Sequence, residues 1–205
     1  MSPCGNIVLI GLSGAGKTSC AELLAELLNL SMLDTDKIIQ NSVGKSVAEI
    51  FKDEGEGHFR ELERAVIQEL LGRAEPLKNT VLSVGGGLPT YRDNIDLLKR
   101  LGFTVFLNTS PKTLARRLAE DVVADKGLRP LLGAGNSQAS GGCKDTTVPS
   151  ASDRHIENLE KRLSEQLAGR FKHYEKAHMV VNTDGKTKQD VCFEIQTILI
   201  NNTIL

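Results

Sequence analysis

The chain has 205 residues, of which 40% are hydrophobic and 25% are charged, and its formal net charge is −1. Such values are typical of one globular domain with a real core. They exclude a protein that holds nucleic acid through a large basic surface, and no segment approaches the roughly 18 apolar residues that span a bilayer.

The cysteines and the N-terminus bear on location. Four cysteines are scattered without metal-site spacing, which predicts free thiols in a reducing compartment: Cys4, Cys20, Cys143 and Cys192. The first six residues form a short, uncharged stretch that does not resemble a signal peptide. We therefore expect a cytoplasmic protein, although a mature plastid protein would look similar. Nothing indicates an obligate interface, so we expect a monomer.

Strand-length apolar runs alternate with helix-length amphipathic segments. The predicted strands are Asn6–Ile10, Ser31–Leu33, Thr80–Val84, Thr104–Leu107 and Met179–Val181. The predicted helices are Lys17–Leu28, Gly57–Arg73, Arg92–Leu101, Thr113–Val123, Ile156–Ala177 and Lys188–Ile200. This alternation predicts one domain over residues 1–205, a three-layer α/β/α fold around a five-stranded parallel sheet.

One segment breaks the alternation. Gly133–Ser152, "GAGNSQASGGCKDTTVPSAS", is rich in Gly, Ser and Thr and has almost no large apolar side chains. Such a segment buries too little surface to offset its ordering entropy, which predicts a mobile loop. It is either a passive insertion or part of a lid over an active site, in a lid region of about residues 124–155.

A phosphate-binding motif follows the first predicted strand. "GLSGAGKTS" matches G-x-x-x-x-G-K-[ST] and opens a helix, which is the context that this motif requires. Its glycines let backbone N–H groups converge on a phosphate, Lys17 reaches the β- and γ-phosphates, and Thr18 binds Mg²⁺. The predicted ATP-binding residues here are Gly11, Ser13, Gly14, Ala15, Gly16, Lys17, Thr18 and Ser19.

Nucleotide binding leaves the phosphoryl acceptor open. A guanine-dependent switch would need a motif such as N-K-x-D, which the sequence lacks. A motor usually has an apolar strand that ends in Asp, whereas the candidate strand here ends in Ser83 and glycines. The small size of the chain and its polar acceptor-side residues therefore favour a small-molecule kinase.

Two carboxylates and an arginine are candidates for the acceptor side. In "LDTDKII", Asp34 and Asp36 are expected on one side of a strand end, where one supports the metal and the other accepts a proton. The alternative is that they cap the next helix, with Asp36 as N-cap. In "GEGHFRELE", Arg60 either binds an anion or forms a surface ion pair with Glu63 or Glu56.

A second glycine cluster, "VLSVGGGLPT", lacks the lysine and hydroxyl of the first. At the carboxyl end of a parallel strand, glycines let a flat hydroxylated ring approach the backbone. This cluster predicts an acceptor platform, and we expect a side chain at Gly86 to block the ring.

These motifs together resemble shikimate kinase. The resemblance runs from about Asn6 to about Asp184 and adds "NTSP", "LRPLL", "GRFKHYEKA" and "VVNTD", in family order. It implies a P-loop kinase fold with a mobile lid and phosphorylation of the 3-hydroxyl of shikimate by ATP with Mg²⁺. Gluconate kinase shares the general plan without this combination of motifs.

The resemblance also implies roles for individual residues. Asp34 supports Mg²⁺ through water, and Asp36 binds the shikimate hydroxyls and activates the attacking one. Arg60 and Arg170 bind the shikimate carboxylate, Arg117 stacks on adenine, and Arg129 is a lid arginine that approaches the phosphates. The implied platform residues are Gly85, Gly86 and Gly87.

Some alternatives stay open within the resemblance. Arg116 is adjacent to Arg117, and Arg154 and Arg162 compete with Arg170. The stretch after "LRPLL" is longer than the family usually shows. That extension motivates the alternative of a kinase-like protein that binds shikimate and ATP without turnover. A gluconate-type kinase is a further alternative.

Overall fold

The computed structural model describes residues 5–124 and 151–201. Five parallel strands form one sheet, as predicted, and their order is β2-β3-β1-β4-β5. The strands are β1 Ile7–Ile10, β2 Ser31–Asp34, β3 Thr80–Ser83, β4 Phe103–Asn108 and β5 Met179–Asn182.

Strand composition follows position in the sheet. The central strands β1 and β3 are buried at every residue, because helices cover both faces of a parallel sheet. At one edge, β5 alternates buried and exposed residues, so Val180 is half exposed while Val181 is fully buried. The continuous apolar runs in the sequence therefore belong to the middle of the sheet.

Seven α-helices lie in the described part of the chain. They are α1 Lys17–Leu28, α2 Thr35–Val43, α3 Val47–Gly72, α4 Asn94–Leu101, α5 Pro111–Ala124, α6 Ala151–Tyr174 and α7 Lys188–Asn201. A short 3₁₀ turn spans Leu88–Thr90. Helix α1 contacts β1, β3 and α7, whereas α4 contacts β1 and β4. Helices on both sides of the sheet give the predicted three layers, and none of those described is long and apolar enough to cross a membrane.

Two helical features differ from the prediction. Helix α2 was missed because it has only nine residues and begins at Thr35, directly after β2 ends at Asp34, so no loop separates the two elements. Helix α3 begins at Val47, ten residues before the predicted start, where Ser46 and Glu49 form a capping box. Gly55 interrupts it with φ 81° and ψ 168°, so α3 is two helices joined at a kink.

Most of the predicted insertion lies outside the described residues. Its last two residues, Ala151 and Ser152, begin α6. Arg129 and Cys143 also lie outside, so the predicted lid arginine keeps the status of a prediction.

The sheet brings the carboxyl ends of β1, β2 and β3 to one edge of the molecule. Leu9 of β1 pairs with Ser83 of β3, which pairs in turn with Asp34 of β2. The phosphate loop, the Gly85–Gly87 cluster and the acidic motif therefore meet at one carboxyl edge, where ligands bind in open α/β sheets.

Candidate active site

The phosphate loop joins β1 to α1 in a conformation that requires glycine. Gly14 and Gly16 have φ values of 83° and 87°. At Gly11, with φ 146°, a Cβ would lie 2.8 Å from the carbonyl oxygen of Leu107 on β4. These glycines let the loop close tightly against the sheet, and Gly16 places the N-terminus of α1 at the loop.

Lys17 lies over this loop, at the floor of a cleft. Its Nζ donates to the carbonyl oxygens of Gly11 and Leu12 at 3.0 and 2.9 Å. The cleft has a volume of about 490 Å³. Seven of the predicted loop residues line it: Ser13, Gly14, Ala15, Gly16, Lys17, Thr18 and Ser19. A buried ammonium beside convergent backbone N–H groups is suited to a polyphosphate.

Oxygen atoms from three elements meet beside Lys17. The Thr18 hydroxyl donates to Asp34 Oδ2 at 2.9 Å and lies 3.2 Å from the Ser83 hydroxyl. In the described residues no group of three or more His, Cys, Asp or Glu could hold a metal alone. One carboxylate with hydroxyls still fits Mg²⁺, which usually keeps waters and takes phosphate oxygens as well.

The two aspartates occupy different elements, which corrects the prediction that they share one side of a strand. Asp34 ends β2 and caps α2, since its Oδ1 accepts from the N–H groups of Asp36 and Lys37. The alternative prediction, that Asp36 is the N-cap of the next helix, is also wrong, because the N-cap is Asp34. Asp36 lies in the first turn of α2, and both carboxylates reach the cleft.

The glycine cluster is packed against charged side chains. A Cβ at Gly85 would lie 2.3 Å from Glu63 Oε1 and 2.9 Å from Asp36 Oδ1. At Gly87 a Cβ would lie 2.3 Å from Cζ of Arg60. The absence of side chains thus allows two acids and one cation to approach the same stretch of backbone.

Gly86 packs differently from the prediction. A Cβ there would lie 3.1 Å from the Ser13 nitrogen and 3.2 Å from the Gly11 oxygen, so it would press on the phosphate loop. The expected obstruction of the acceptor ring stays a prediction, and the structure adds an obstruction on the donor side. The Gly86 carbonyl accepts a hydrogen bond from the hydroxyl of Tyr174, which is fully buried at the end of α6.

Glu63 is a site residue that sequence reasoning left on the surface. It is fully buried, and its Oε2 accepts from Arg60 at 2.7 Å, while Glu56 accepts from Arg60 on the exposed side. Oε1 has no hydrogen-bond partner among the described residues. Burial raises the pKa of Glu63 to about 7, with Asp36 adding to the rise and the positive charges of Arg60 and Arg170 opposing it.

The second predicted carboxylate-binding arginine, Arg170, is half buried on α6, one turn before Tyr174. Its charge lowers the pKa of both Glu63 and Tyr174, although burial raises the pKa of each overall. Its competitors Arg154 and Arg162 are exposed. The fold therefore brings Arg170, and neither competitor, toward the group that contains Arg60.

The other end of the cleft contains Arg117 and a loop that the prediction missed. Arg117 lines the cleft and Arg116 is exposed, which favours Arg117 as the predicted adenine contact. Thr183, Lys186, Thr187 and Lys188 also line this end. They follow β5 and begin α7, so the rule that ligands bind at carboxyl ends of parallel strands could have found them.

A phosphate loop after the first strand of a parallel sheet, beside a carboxylate and a half-buried arginine, defines a P-loop phosphotransferase. Comparisons with known proteins identify the family within this class. The family described as shikimate kinase matches residues 13–199. A shikimate kinase of Clostridium botulinum strain 657 is 36% identical over 176 residues, which are 86% of each chain.

Solved structures agree with these matches. The shikimate kinase from Acinetobacter baumannii in complex with shikimate is 32% identical, with a TM-score of 0.77 over 98% of this chain and 96% of that one. A gluconokinase from Sinorhizobium meliloti is 19% identical with a TM-score of 0.52 over 98% and 94% of the two chains, a likeness of fold alone. The chain belongs to the shikimate kinase family, an enzyme family that uses ATP as co-substrate.

Proposed function

We propose that this chain transfers the γ-phosphoryl group of ATP to the 3-hydroxyl of shikimate, in the pathway to chorismate and the aromatic amino acids. The observation that carries the proposal is the packing of the Gly85–Gly87 cluster. Asp36 and Glu63 lie against one end of it and Arg60 against the other. A ring with hydroxyl groups on one side and a carboxylate on the other matches that distribution of charge.

On the donor side, the phosphate loop holds the triphosphate and Lys17 neutralises the phosphates that develop charge. We assign the adenine contact to Arg117, which lines the opposite end of the cleft. Arg129 is assigned to the lid by family resemblance and lies outside the described residues.

Mg²⁺ is the metal that fits the oxygen atoms beside Lys17. Thr18 would hold it through its hydroxyl and Asp34 through water, as the 2.9 Å contact between the two side chains allows. When bound, the ion supplies positive charge between the phosphates. The protein's own contribution here is to hold Asp34 in place by its cap of α2.

On the acceptor side, Arg60 and Arg170 bind the shikimate carboxylate from two directions. Glu63 holds the Arg60 guanidinium through Nη1 and so orients its remaining N–H groups. Asp36, next to Gly85, accepts the proton of the attacking hydroxyl. Phosphoryl transfer depends mainly on such positioning and on charge stabilisation.

The direct test is a coupled ADP-release assay with Mg·ATP and shikimate, followed by identification of shikimate 3-phosphate by mass spectrometry. Shikimate-dependent turnover is expected. Turnover with gluconate or a nucleoside monophosphate alone would overturn the proposal. Calorimetric binding of both ligands without phosphate transfer would instead support the non-catalytic alternative.

The roles of the two acceptor-side residues are separable by kinetics. Asp36→Asn keeps the shape of the side chain and removes its proton acceptance, so kcat should fall more than shikimate affinity. Arg60→Ala should mainly raise the KM for shikimate, by an amount equivalent to roughly 2–5 kcal/mol in a desolvated site. The same kinetic profile in both variants would show that this division of roles is wrong.

Two broader assignments belong to the proposal. We place the protein in a reducing compartment, the cytoplasm or a plastid, since the two described cysteines are free thiols. We also propose that it acts as a monomer, because the site is built from residues of one chain. Sedimentation of the purified protein with and without ligands tests the second assignment.

A further inference from the structure

The hydroxyl of Tyr174 donates a hydrogen bond of 2.5 Å to the carbonyl oxygen of Gly86. Tyr174 is fully buried at the end of α6, and its ring stacks on Phe106 of β4 with the ring centroids 4.9 Å apart. Burial raises the pKa of this hydroxyl, against the positive charges of Arg170 and Arg60, so the group keeps the proton that it donates. A fixed donor on α6 thus reaches the middle of the glycine cluster.

The bonded carbonyl belongs to the central peptide of a tight turn. The Leu88 N–H donates to the Gly85 carbonyl at 3.1 Å, which closes a four-residue turn with Gly86 and Gly87 at its centre. Gly87 has φ −87° and ψ −17°, close to the third residue of a type I turn. The peptide between Gly86 and Gly87 is therefore in the type I orientation.

The sequence of the turn permits a second orientation of this peptide. A type II turn differs from type I by a rotation of the central peptide through roughly 180°, and it needs a positive φ at the third residue. Glycine adopts positive φ without strain, so Gly87 permits either orientation. Steric contact already requires glycine here, since a Cβ would lie 2.3 Å from Cζ of Arg60. The same absence of a side chain leaves the peptide free to rotate unless another group holds it.

Tyr174 is the group that distinguishes the two orientations. In a type II turn the Gly86 carbonyl would point away from the tyrosine, and a fully buried hydroxyl would lose its acceptor. A trans peptide is planar, so the Gly87 N–H points away from Tyr174 when the Gly86 carbonyl points toward it. In the part of the chain that the structure describes, this N–H has no hydrogen-bond acceptor.

We propose that Tyr174 is a positioning residue that holds the peptide between Gly86 and Gly87 in its type I orientation and so presents the Gly87 N–H to the acceptor substrate. This role rests on the proposed function, because the oxygen that accepts from the N–H belongs to shikimate. Gly86 lines the cleft, and Gly87 lies against Arg60, which is assigned to the carboxylate. Tyr174 does not line the cleft and acts through the peptide.

Tyr174→Phe removes the hydroxyl and keeps the ring that stacks on Phe106. The turn should then populate both orientations, and the KM for shikimate should rise about fivefold or more, because only the type I fraction is competent to bind. The KM for ATP should change less, since the phosphate loop keeps its own contact with β4. Steady-state kinetics with each substrate varied in turn measures both, and an unchanged KM for shikimate would overturn the proposal.

The matched control is Thr104→Val, which also removes a fully buried hydroxyl. Thr104 lies near the amino end of β4, away from the carboxyl edge that contains the site, and its Oγ1 is 3.0 Å from Nδ1 of His178. This variant should lose stability in urea while its KM for shikimate stays at the wild-type value. A rise in KM of the same size in both variants would mean that the Tyr174 hydroxyl serves only the stability of the fold.

NMR reports the orientation of the peptide without any assay of activity. The distance from the Gly86 Hα atoms to the Gly87 N–H is shorter in a type II turn, so the nuclear Overhauser effect between them should be stronger in Tyr174→Phe than in wild type. Saturating shikimate should weaken it again in the variant and should shift the Gly87 amide proton of wild type. The same Overhauser effect in both proteins, or a wild-type Gly87 amide that does not respond to shikimate, would overturn the role of Tyr174.

Failure of this role is distinguishable from failure of the proposed function. Wild type that neither binds nor phosphorylates shikimate would overturn both. Wild type that phosphorylates shikimate, together with a Tyr174→Phe variant of the same KM and the same Overhauser effect, would overturn the role of Tyr174 alone.

Discussion

At the scale of the residue, burial decides what a charged side chain does. Glu63 is three positions from Arg60, a spacing that is typical of a weak exposed ion pair on a helix. In the structure the carboxyl group is fully buried beside Gly85, where it orients the arginine that the proposed function requires. Sequence spacing predicted the pair correctly and its location wrongly, because the exposure of one helix face depends on what packs there.

The raised pKa of Glu63 makes stability depend on pH. Its folded-state pKa of about 7 lies above the ordinary value of 4.5, so the folded chain binds more protons between these two values. This contribution is fully present below pH 4.5 and is lost as the pH rises to 7. The difference corresponds to about 3 kcal/mol in the free energy of unfolding.

We therefore expect wild type to lose stability relative to Glu63→Gln as the pH rises from 5 to 8, by urea unfolding at each pH. The matched control is Glu26→Gln on the exposed face of α1, which removes a carboxylate that is not buried. A constant difference between wild type and Glu63→Gln over this range would contradict the prediction.

Neighbouring glycines separate the donor and acceptor sides. Gly86→Ala presses a methyl group on the phosphate-loop backbone, which is itself held against β4 at Gly11 and cannot readily move. We expect it to raise the KM for ATP about tenfold or more, since small misplacements near the reacting groups are costly. The KM for shikimate should change less.

Gly87→Ala should show the opposite pattern. Its methyl group meets the guanidinium end of the Arg60 side chain, which must move from its position beside the buried Glu63. Losing the position of Arg60 should raise the KM for shikimate roughly tenfold, or ~1.4 kcal/mol of binding. Steady-state kinetics with each substrate varied in turn separates the two variants, and identical profiles would show that the two glycines serve one side.

At the scale of the element, α3 shows how one residue divides a helix. Gly55 has φ 81° and ψ 168°, a region that is essentially restricted to glycine. The kink lies five residues before Arg60, so it sets the direction in which the half with Arg60 and Glu63 approaches the site. The amphipathic pattern predicted only that second half, because Ile50 is the only buried residue of the first half.

Alanine substitutions at two glycines of this helix should change the free energy of unfolding in opposite directions. Gly55→Ala should cost about 1–3 kcal/mol of unfolding free energy, since alanine is strained at that φ and ψ. Gly57→Ala, two residues on in regular helix with open space around its Cα, should stabilise by about 0.5–1 kcal/mol. Chemical denaturation measures both, and a stabilising Gly55→Ala would show that the kink is not required.

At the scale of the whole molecule, Asn6 joins segments that are far apart in sequence. Its side-chain nitrogen donates to the carbonyl oxygens of Leu77 and Leu101 at 2.7 and 2.8 Å, and its Oδ1 accepts from the Thr80 nitrogen at 3.3 Å. One buried amide thus ties the start of β1 to β3 and to the end of α4. The strand register that places the glycine loops side by side depends on this region.

Asn6→Ala should therefore destabilise the fold by about 2–4 kcal/mol, because it leaves two carbonyls and one N–H without a partner. The control is Asn182→Ala, which removes an exposed hydrogen bond from Asn108 and should cost less than about 0.5 kcal/mol. Thermal or urea unfolding measures both. Equal effects would mean that water replaces the Asn6 bonds.

The sequence by itself determined the parallel sheet and the phosphate loop, and it predicted the acceptor motifs around Asp36, Arg60 and the second glycine cluster. These features are local: an apolar run is a buried strand, and a loop that binds phosphate needs its glycines and lysine in consecutive positions. A motif of this kind can be recognised in the sequence because the residues that perform its chemistry lie within a few positions of one another.

Only the tertiary structure decided which charged groups are buried. Glu63 is buried because it packs against the backbone that follows β3. Arg117 and Arg170 are half buried, whereas the competing arginines are exposed. Contacts between distant segments depend on how the sheet orders its strands. That order is a property of the packed molecule, and no local pattern in the chain encodes it.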